Sequence, residues 1–256
     1  MNGLPYNSNM QQIRLLPLGN ASGAGNMAAD EMMLNTAATR GIASLRLYTW
    51  NEPTLSLGYF QPSTDRLTDE KLAALPWVRR ATGGAAIVHD PACELTYSLA
   101  LPSGPGWQPT GDSWVCKFHQ VIRKVLAEQK VTAKVVVCGE EQKLGPVLCF
   151  LHQTAGDLVV GGSKVAGSAQ RKQRGGLLQH GSVLLSSSPL APQLQGIREV
   201  AGVEMTFRKM AGSLATRFVT ETKWAFKRGD WTAEETGPLF QESLSKYTSR
   251  EWNEKR

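Results

Sequence analysis

The chain has 256 residues, of which 41% are hydrophobic and 20% charged, and it carries a net charge of +6. This ordinary globular mix excludes a disordered, collagen-like or coiled-coil protein. No stretch approaches the ~18 consecutive apolar residues of a membrane span, and the first twenty residues lack a signal peptide's apolar core. The four cysteines are too few for a disulfide scaffold and form no CxxC pair. We therefore expect a soluble, cytoplasmic protein with free thiols.

The positive charge is concentrated in one segment. Residues 158–198 contain no Asp or Glu, and their basic residues are Lys164, Arg171, Lys172, Arg174 and Arg198. A segment of this kind is either a solvated face or a surface for an acidic partner. Because no aromatic residue interleaves with the basic ones, we expect no nucleic-acid partner.

The first elements follow from capping and periodicity. A helix is predicted over 26–40, with Asn26 as its N-cap and Gly41 at its end. The pattern then alternates apolar and polar residues, which predicts a hairpin of strands at 45–50 and 54–60.

The remaining elements alternate between strands and helices. The helix at 112–130 is the clearest, because it keeps one face apolar, and a Gly-Gly turn at 161–162 predicts a hairpin. Further strands are predicted at 77–80, 85–90, 94–102, 134–137, 147–150, 157–160, 163–171 and 177–185. A short helix is predicted over 63–75, and the last third reads as helices. We expect one mixed α+β domain over 1–256, with a single sheet of mostly hairpin-linked strands.

One candidate site is the segment RRATGGAAIVHD at 79–90. Arg79 and Arg80 precede a Gly83-Gly84 pair, and His89 closes the following strand. Arginines can clamp a carboxylate or phosphate, and the backbone N–H groups of adjacent glycines allow an anion to approach closely. The same pattern is also typical of a plain tight turn.

Two further residues are candidates for reaction chemistry. Lys164 stands on an otherwise small and apolar strand, where it either extends to solvent or is held in a pocket. Cys149 lies in the apolar run PVLCFL, where cysteines are usually inert. A cation beside it would activate it as a nucleophile. Spacing allows Lys164 to be that neighbour, whereas His152 is predicted to face away.

Together these segments resemble the lipoate/biotin protein ligase superfamily, and within it the octanoyltransferases of the LipM type. The segments that carry the resemblance are GNMAADEMML (25–34), LRLYTWNEPTLSLGYFQ (45–61), RRATGGAAIVHDPACELTYSLALP (79–102), CF (149–150), KVAGSAQRKQRGGLLQHGSVLL (164–185) and KYTSREWN (246–253). The resemblance implies a class II synthetase/biotin ligase-like fold, with a mixed sheet, flanking helices and an acyl-binding tunnel.

The resemblance also implies the site. It gives Cys149 as the residue that forms an acyl-enzyme and Lys164 as its catalytic partner, with no metal ligand. The substrate-binding residues that it implies are Arg79, Arg80, Thr82, Gly83, Gly84, His89, Gly167, Ser168, Ala169, His180, Gly181 and Ser182.

Two chemistries share this fold, and the residues favour one. ATP-dependent lipoate ligases usually carry a third glycine, an Asn-Asp pair and often a C-terminal accessory domain. Here Ala85 stands at the third position, the segment TAGDLVVGG lacks the Asn-Asp pair, and no accessory domain is expected. Cys149-Phe150 matches the transferases, although their following Pro-Ser is replaced by Leu151-His152. We expect an octanoyltransferase.

The expected reaction moves octanoyl from acyl carrier protein to a lysine of the glycine-cleavage H protein or another lipoyl domain. It requires no cofactor, and the enzyme is expected to be a monomer that binds neither nucleic acid nor membrane. Three alternatives remain. An octanoyl-H-protein amidotransferase would use a different donor, an ATP- and Mg²⁺-dependent lipoate ligase would tolerate loss of Cys149, and a carrier-binding subunit would have no activity. The biotin ligase branch is disfavoured by the segment at 79–90.

Overall fold

The computed structural model describes residues 10–107, 113–143, 145 and 147–256. The strands of this part of the chain are β1 (Gln12–Leu15), β2 (Gly19–Ala21), β3 (Ser44–Trp50), β4 (Thr54–Leu57), β5 (Trp77–Arg79), β6 (Ile87–His89), β7 (Glu94–Pro102), β8 (Lys134–Val135), β9 (Gln142–Lys143), β10 (His152–Gln153), β11 (Leu158–Val160), β12 (Ser163–Gln173), β13 (Gly176–Leu184) and β14 (Ala225–Arg228). The α-helices are α1 (Gly23–Arg40), α2 (Glu70–Ala73), α3 (Trp114–Glu128), α4 (Ile197–Ala201), α5 (Phe207–Thr222), α6 (Ala233–Thr236), α7 (Pro238–Thr248) and α8 (Arg250–Asn253).

The largest sheet carries helices on both faces. Its strand order is β14-β1-β3-β7-β13-β12-β11-β8, and β2 pairs with β3. Helix α1 covers one face through contacts with β7 and β13, and α3 and α5 cover the other. Every residue of β7 and β13 is consequently buried. This mixed sheet with flanking helices confirms the α+β fold class.

Helix α1 begins earlier than predicted. Ser22 is its N-cap and accepts a hydrogen bond from the backbone N–H of Gly25. Asn26 lies inside the helix and is fully buried; its side-chain oxygen accepts a 2.6 Å hydrogen bond from Arg46. The prediction that Asn26 caps the helix is therefore wrong, because its amide is used in tertiary contacts. Gly41 ends the helix with φ of 66°, as predicted.

The predicted hairpin between 45–50 and 54–60 is also wrong. Strand β3 pairs with β1, β2 and β7 in the large sheet, whereas β4 pairs with β5 and β6 in a separate three-stranded sheet. The short connection at 51–53 carries the chain from one sheet to the other. Within the described residues, the expected single sheet is divided into three sheets, and some of their strand pairs are parallel.

The predicted strand at 147–150 is a turn. Leu148 forms an isolated bridge with Ala86, after which the chain makes a 3₁₀ turn over Cys149–Leu151. An apolar run of four residues has no period that separates a strand from a buried turn. Two other predictions are confirmed. Strand β7 spans the predicted 94–102, and the Gly161-Gly162 turn joins the antiparallel strands β11 and β12.

Several other boundaries differ from the prediction. The predicted strand at 134–137 shortens to β8, and the predicted helix at 63–75 becomes a 3₁₀ turn over Ser63–Thr68 followed by α2. Helix α3 confirms the prediction at 112–130, although Asp112 lies outside the described residues. Helices α5 and α7 confirm the helical last third, but β14 was not predicted. No described helix is long and apolar enough to span a membrane.

Candidate active site

Cys149 is fixed by the segment that carries the paired glycines. Its backbone N–H donates a 2.7 Å hydrogen bond to the carbonyl oxygen of Ala86, and the N–H of Ala86 donates to Val147. The 3₁₀ turn that follows leaves the cysteine half-buried rather than packed in the core. Two motifs that are about sixty residues apart in the sequence therefore meet at this thiol.

Lys164 is the cationic neighbour of that thiol. Its ammonium lies 3.5 Å from the Cys149 sulfur and 3.3 Å from the Cys149 carbonyl oxygen. It also forms a 2.7 Å ion pair with Asp157, and both side chains are almost completely buried. Asp157 in turn accepts hydrogen bonds from the backbone N–H and the hydroxyl of Thr154. The lysine is thereby held as a fixed charge against the nucleophile.

A β-bulge turns Lys164 toward the cysteine. Leu158 pairs with Ala166, but Val159 pairs with Lys164, so Val165 is an extra residue in β12. Val165 and Ala166 both pack into the same core cluster. Bulges re-aim side chains in this way. If the strand alternated regularly through Val165, Lys164 would lie on the same face as Ala166.

Gly167 leaves the room that the lysine occupies. A Cβ atom at Gly167 would lie 2.6 Å from Cε and 3.0 Å from Nζ of Lys164, and 3.3 Å from Oδ1 of Asp157. Contacts under 3 Å are sterically forbidden, so any side chain here would push the lysine away. The glycine gives a physical basis for the small-residue segment that follows the lysine.

Arg80 places a second positive charge near the thiol and shapes the glycine loop. It donates hydrogen bonds to the carbonyl oxygen and hydroxyl of Ser56 and to the carbonyl oxygens of Gly83 and Ala85. Burial lowers the pKa of its guanidinium to about 10, and the nearby Cys149 opposes that shift. Arg80 therefore stays positively charged at neutral pH.

A cavity of about 480 Å³ adjoins the cysteine. Its walls combine apolar side chains with the backbone of β12 and β13. The lining residues are Met27, Tyr48, Trp50, Arg80, Gly83, Gly84, Ile87, His89, Thr96, Cys149, Phe150, Gly167, Ser168, Ala169, His180, Gly181 and Ser182. A cavity of this lining suits an apolar chain whose polar end lies at the cysteine.

His89 is part of the cavity wall. One ring nitrogen lies 2.7 Å from the Ser56 hydroxyl and the other lies 2.7 Å from Glu94. The ring stacks on Trp50 with 3.8 Å between centroids. Burial lowers the pKa of His89, so the ring is neutral at pH 7. With both nitrogens occupied, it has no free position for a substrate proton.

His180 is also bound through both ring nitrogens. Nδ1 lies 2.8 Å from Asp30 and Nε2 lies 2.6 Å from the hydroxyl of Thr82. Thr82 therefore reaches the site through His180. Both contacts fix the imidazole as a wall between α1 and the glycine loop.

Two of the predicted substrate-binding residues have other contacts. The guanidinium of Arg79 is fully buried and donates to the carbonyl oxygens of Asn253, Gly58 and Gln61. Ser168 borders the cavity, but its hydroxyl hydrogen-bonds with Tyr97 and with His119 of α3. Arg79 thus ties the C-terminal segment to the small sheet, and the Ser168 hydroxyl ties β12 to α3.

Sequence reasoning missed Asp157 and the apolar wall formed by Met27, Trp50 and Phe150. A signal for Asp157 exists: it precedes β11 by one residue, and β11 and the lysine strand form one hairpin. A lone carboxylate at that position can meet the lysine across the pair. No group of three or more possible metal ligands occurs within the described part of the chain.

A cysteine held beside a buried lysine, lining an apolar cavity, defines a domain built to handle an acyl group. The chain belongs to the lipoyl protein ligase A/B catalytic domain family, whose model matches residues 22–235.

Similar proteins cover nearly the whole chain. It is 33% identical to the octanoyltransferase LipM of Kyrpidia tusciae, over 95% of this chain and 99% of that protein. It is 34% identical to the octanoyltransferase LipM of Bacillus subtilis, over 95% and 98%. A putative lipoate protein ligase of Thermoplasma acidophilum, solved with bound lipoic acid, has a TM-score of 0.77 at 20% identity and covers 95% of this chain and 100% of that one. That structure supports the fold.

Proposed function

We propose that this chain is an octanoyltransferase of lipoate assembly that works through a thioester on Cys149. The observation that carries the proposal is the contact of 3.5 Å between the ammonium of Lys164 and the sulfur of Cys149. The relatives named octanoyltransferase LipM, which match over 95% of the chain, support octanoyl as the acyl group that is transferred.

In the first step, the Cys149 thiolate attacks the thioester carbonyl of octanoyl-acyl carrier protein. The carbon–sulfur bond to the carrier breaks, and the carrier thiolate leaves and takes up a proton. Lys164 and Arg80 stabilise the thiolate, and Lys164 also lies close enough to stabilise the oxyanion of the tetrahedral intermediate. One thioester replaces another, so the step requires neither ATP nor a metal ion.

In the second step, the ε-amine of a lysine on a lipoyl domain attacks the acyl-enzyme. A carbon–nitrogen bond forms, the Cys149 sulfur leaves, and the amine proton passes to the thiolate or to solvent. Amide formation from a thioester is favourable, so this step draws the reaction forward. The lipoyl domain of the glycine-cleavage H protein is one acceptor of this chemistry.

The octanoyl chain would occupy the cavity beside Cys149. Burial of an alkyl chain contributes about 0.8 kcal/mol per methylene. The apolar side chains of Met27, Trp50, Ile87 and Phe150 line that space. The energy of burial selects medium chains over very short ones and holds the carbonyl at the thiol.

The test is the intact mass of the protein after mixing with octanoyl-acyl carrier protein in the absence of ATP. We expect an octanoyl adduct on the native protein that hydroxylamine removes, and none on Cys149→Ala. A Cys116→Ala variant is the matched control, because that thiol lies outside the cavity; it should be acylated as the native protein is.

Three outcomes would replace the proposal. Acyl transfer from free octanoate or lipoate only with ATP and Mg²⁺ would identify a ligase. An adduct formed only from octanoylated H protein would identify an amidotransferase. No adduct with any donor, together with carrier binding, would identify a binding subunit.

A further inference from the structure

Aromatic and cationic side chains gather on the outer side of the glycine loop. We call this group the cationic patch. Its members are Tyr59, Phe60, Arg171, Trp252, Lys255 and Arg256. The Lys255 ammonium lies 3.7 Å from the centre of the Tyr59 ring and 3.1 Å from that of Trp252. Phe60 is 70% exposed, the most exposed large hydrophobic side chain of the described residues.

Among the described residues, the three cations of the patch, Arg171, Lys255 and Arg256, form no ion pair with a carboxylate. Lys246 is paired with Glu31 at 2.8 Å. Burial and the positive charges of Arg79, Lys246, Arg256 and Arg171 together lower the pKa of Lys255 to about 8. Like charges held this close are destabilising unless an anion joins them. The patch is therefore suited to an anionic ligand.

The patch is connected to the candidate active site. The backbone N–H of Tyr59 donates a 2.8 Å hydrogen bond to the carbonyl oxygen of Thr82, and Arg171 donates a 2.8 Å hydrogen bond to that of Ala81. A second cavity of about 530 Å³, lined by Tyr59 and Arg171 among others, reaches Met27 and His180. These last two residues also line the acyl cavity.

We propose that the cationic patch is the docking surface for the acidic acyl carrier protein that donates the octanoyl group. The inference rests on the proposed octanoyl transfer and names the surface that this transfer uses. Carboxylates of the carrier would meet Lys255 and Arg256, with the apolar face of Phe60 between them. A donor of this class holds its acyl group on an arm that begins with a phosphodiester, and guanidinium groups bind such anions well. The acceptor lysine brings no phosphate, which favours the donor as the occupant.

The experiment compares two donors in the acylation of Cys149. One is octanoyl-acyl carrier protein, and the other is octanoyl-N-acetylcysteamine, a small thioester with neither protein nor phosphate. We expect Lys255→Glu and Arg256→Glu to raise the KM for the carrier-bound donor at least tenfold and to leave that for the small donor within twofold. Added salt should raise the carrier KM of the native protein more than that of either variant.

Arg208→Glu is the matched control, because Arg208 is an exposed arginine of α5, which covers the other face of the sheet. It makes the same change of charge and should leave both KM values unchanged. Equal effects of Lys255→Glu on the two donors, or an effect confined to the acceptor, would overturn the docking surface.

Binding is measured independently of catalysis. Calorimetric titration of Cys149→Ala with the holo-carrier, which bears no acyl group, should show weaker binding when Lys255→Glu is added. If neither donor acylates the native protein, the proposed octanoyl transfer is refuted. This titration still tests whether the cationic patch is the docking surface. Undiminished binding by the double variant would refute it.

Discussion

Asp157 and Lys164 form an ion pair with 2.7 Å between Oδ2 and Nζ, and water reaches almost none of either side chain. The carboxylate approaches the ammonium from one side, and the sulfur of Cys149 lies 3.5 Å from it on another. Asp157 is itself held by two hydrogen bonds from Thr154. The position of the catalytic charge is therefore set by a residue that does not touch the substrate cavity.

Asp157→Asn should slow acylation of Cys149 at least tenfold, because the lysine loses the partner that fixes it. It should also lower the free energy of unfolding by about 3–5 kcal/mol, the usual cost of breaking a buried ion pair. Stopped-flow acylation and urea denaturation measure the two effects. Glu234→Gln removes the exposed partner of Arg40 and should cost under about 1 kcal/mol. Full acylation activity in Asp157→Asn would contradict the positioning role.

Gly167→Ala should lower the acylation rate at least tenfold while leaving the fold intact. The new Cβ would stand 2.6 Å from Cε of Lys164, and a flexible lysine end can swing aside. The displacement weakens both the contact with Cys149 and the buried ion pair with Asp157, so the cost falls on catalysis and on stability. Gly212→Ala on α5 meets nothing within 4 Å and should raise stability by about 1 kcal/mol. Gly212→Ala should keep the native acylation rate; equal rates in the two variants would mean that Lys164 tolerates the displacement.

The cysteines should differ in their reaction with iodoacetamide. Cys93 is buried, and burial raises the pKa of its thiol, so it should react only after unfolding. The exposed Cys138 should react whether or not octanoyl donor is present. Cys149 should react in the free protein and be protected after acylation. Peptide mass mapping reads the three sites in one experiment, and equal labelling of Cys149 in both states would contradict the acyl-enzyme.

His119 should make stability fall in mild acid. The ring is fully buried between the Gly156 carbonyl and the Ser168 hydroxyl, and burial lowers its pKa. The unfolded chain, with a histidine pKa of ~6.5, takes up its proton first as the pH falls. The contribution is therefore fully present above about pH 6.5. It is lost below that at up to about 1.4 kcal/mol per pH unit.

The measurement is a series of urea titrations between neutral and mildly acid pH, for the native protein and for His119→Gln. The variant is expected to be less stable at pH 7 but to show a shallower loss below about pH 6.5. His89 and His152, whose pKa values are also lowered by burial, contribute to the remaining slope in both proteins. Parallel curves would show that His119 does not titrate in this window.

The sequence predicted the elements whose pattern is complete within one segment. Strand β7 and helix α3 are of this kind, because each has a regular apolar period and defined ends. The prediction of a hairpin between β3 and β4 is wrong, because these two strands are adjacent in the sequence but belong to different sheets. Nothing local distinguishes that case, since the choice of sheet depends on β7 and β6 further along the chain.

The candidate site divides in the same way. Proximity of Cys149 and Lys164 was allowed by spacing and is present in the structure at 3.5 Å. The segment around the cysteine was predicted as a strand and is a turn. The backbone N–H of Cys149 is bonded to Ala86 in a distant segment, and no local pattern specifies that contact. From the sequence, Asp157 was placed at the start of the predicted strand at 157–160 and in a segment that lacks an Asn-Asp pair, with no role in the site. The contact of Asp157 with the lysine depends on a β-bulge, and no residue type in this segment predicts that bulge.

That bulge brings two residues that are three apart in the sequence onto one face of the strand. The hairpin from Leu158 to Ala166 holds one residue more than a regular ladder needs, so Val165 and Ala166 both enter the core, while Lys164 and Gly167 share the side of the cysteine. Deletion of Val165 would restore simple alternation with Lys164 still on that side, and it would remove one buried side chain from the core. A homologue with the cysteine and the lysine but a hairpin one residue shorter should therefore be read as a protein that keeps this chemistry on a smaller core.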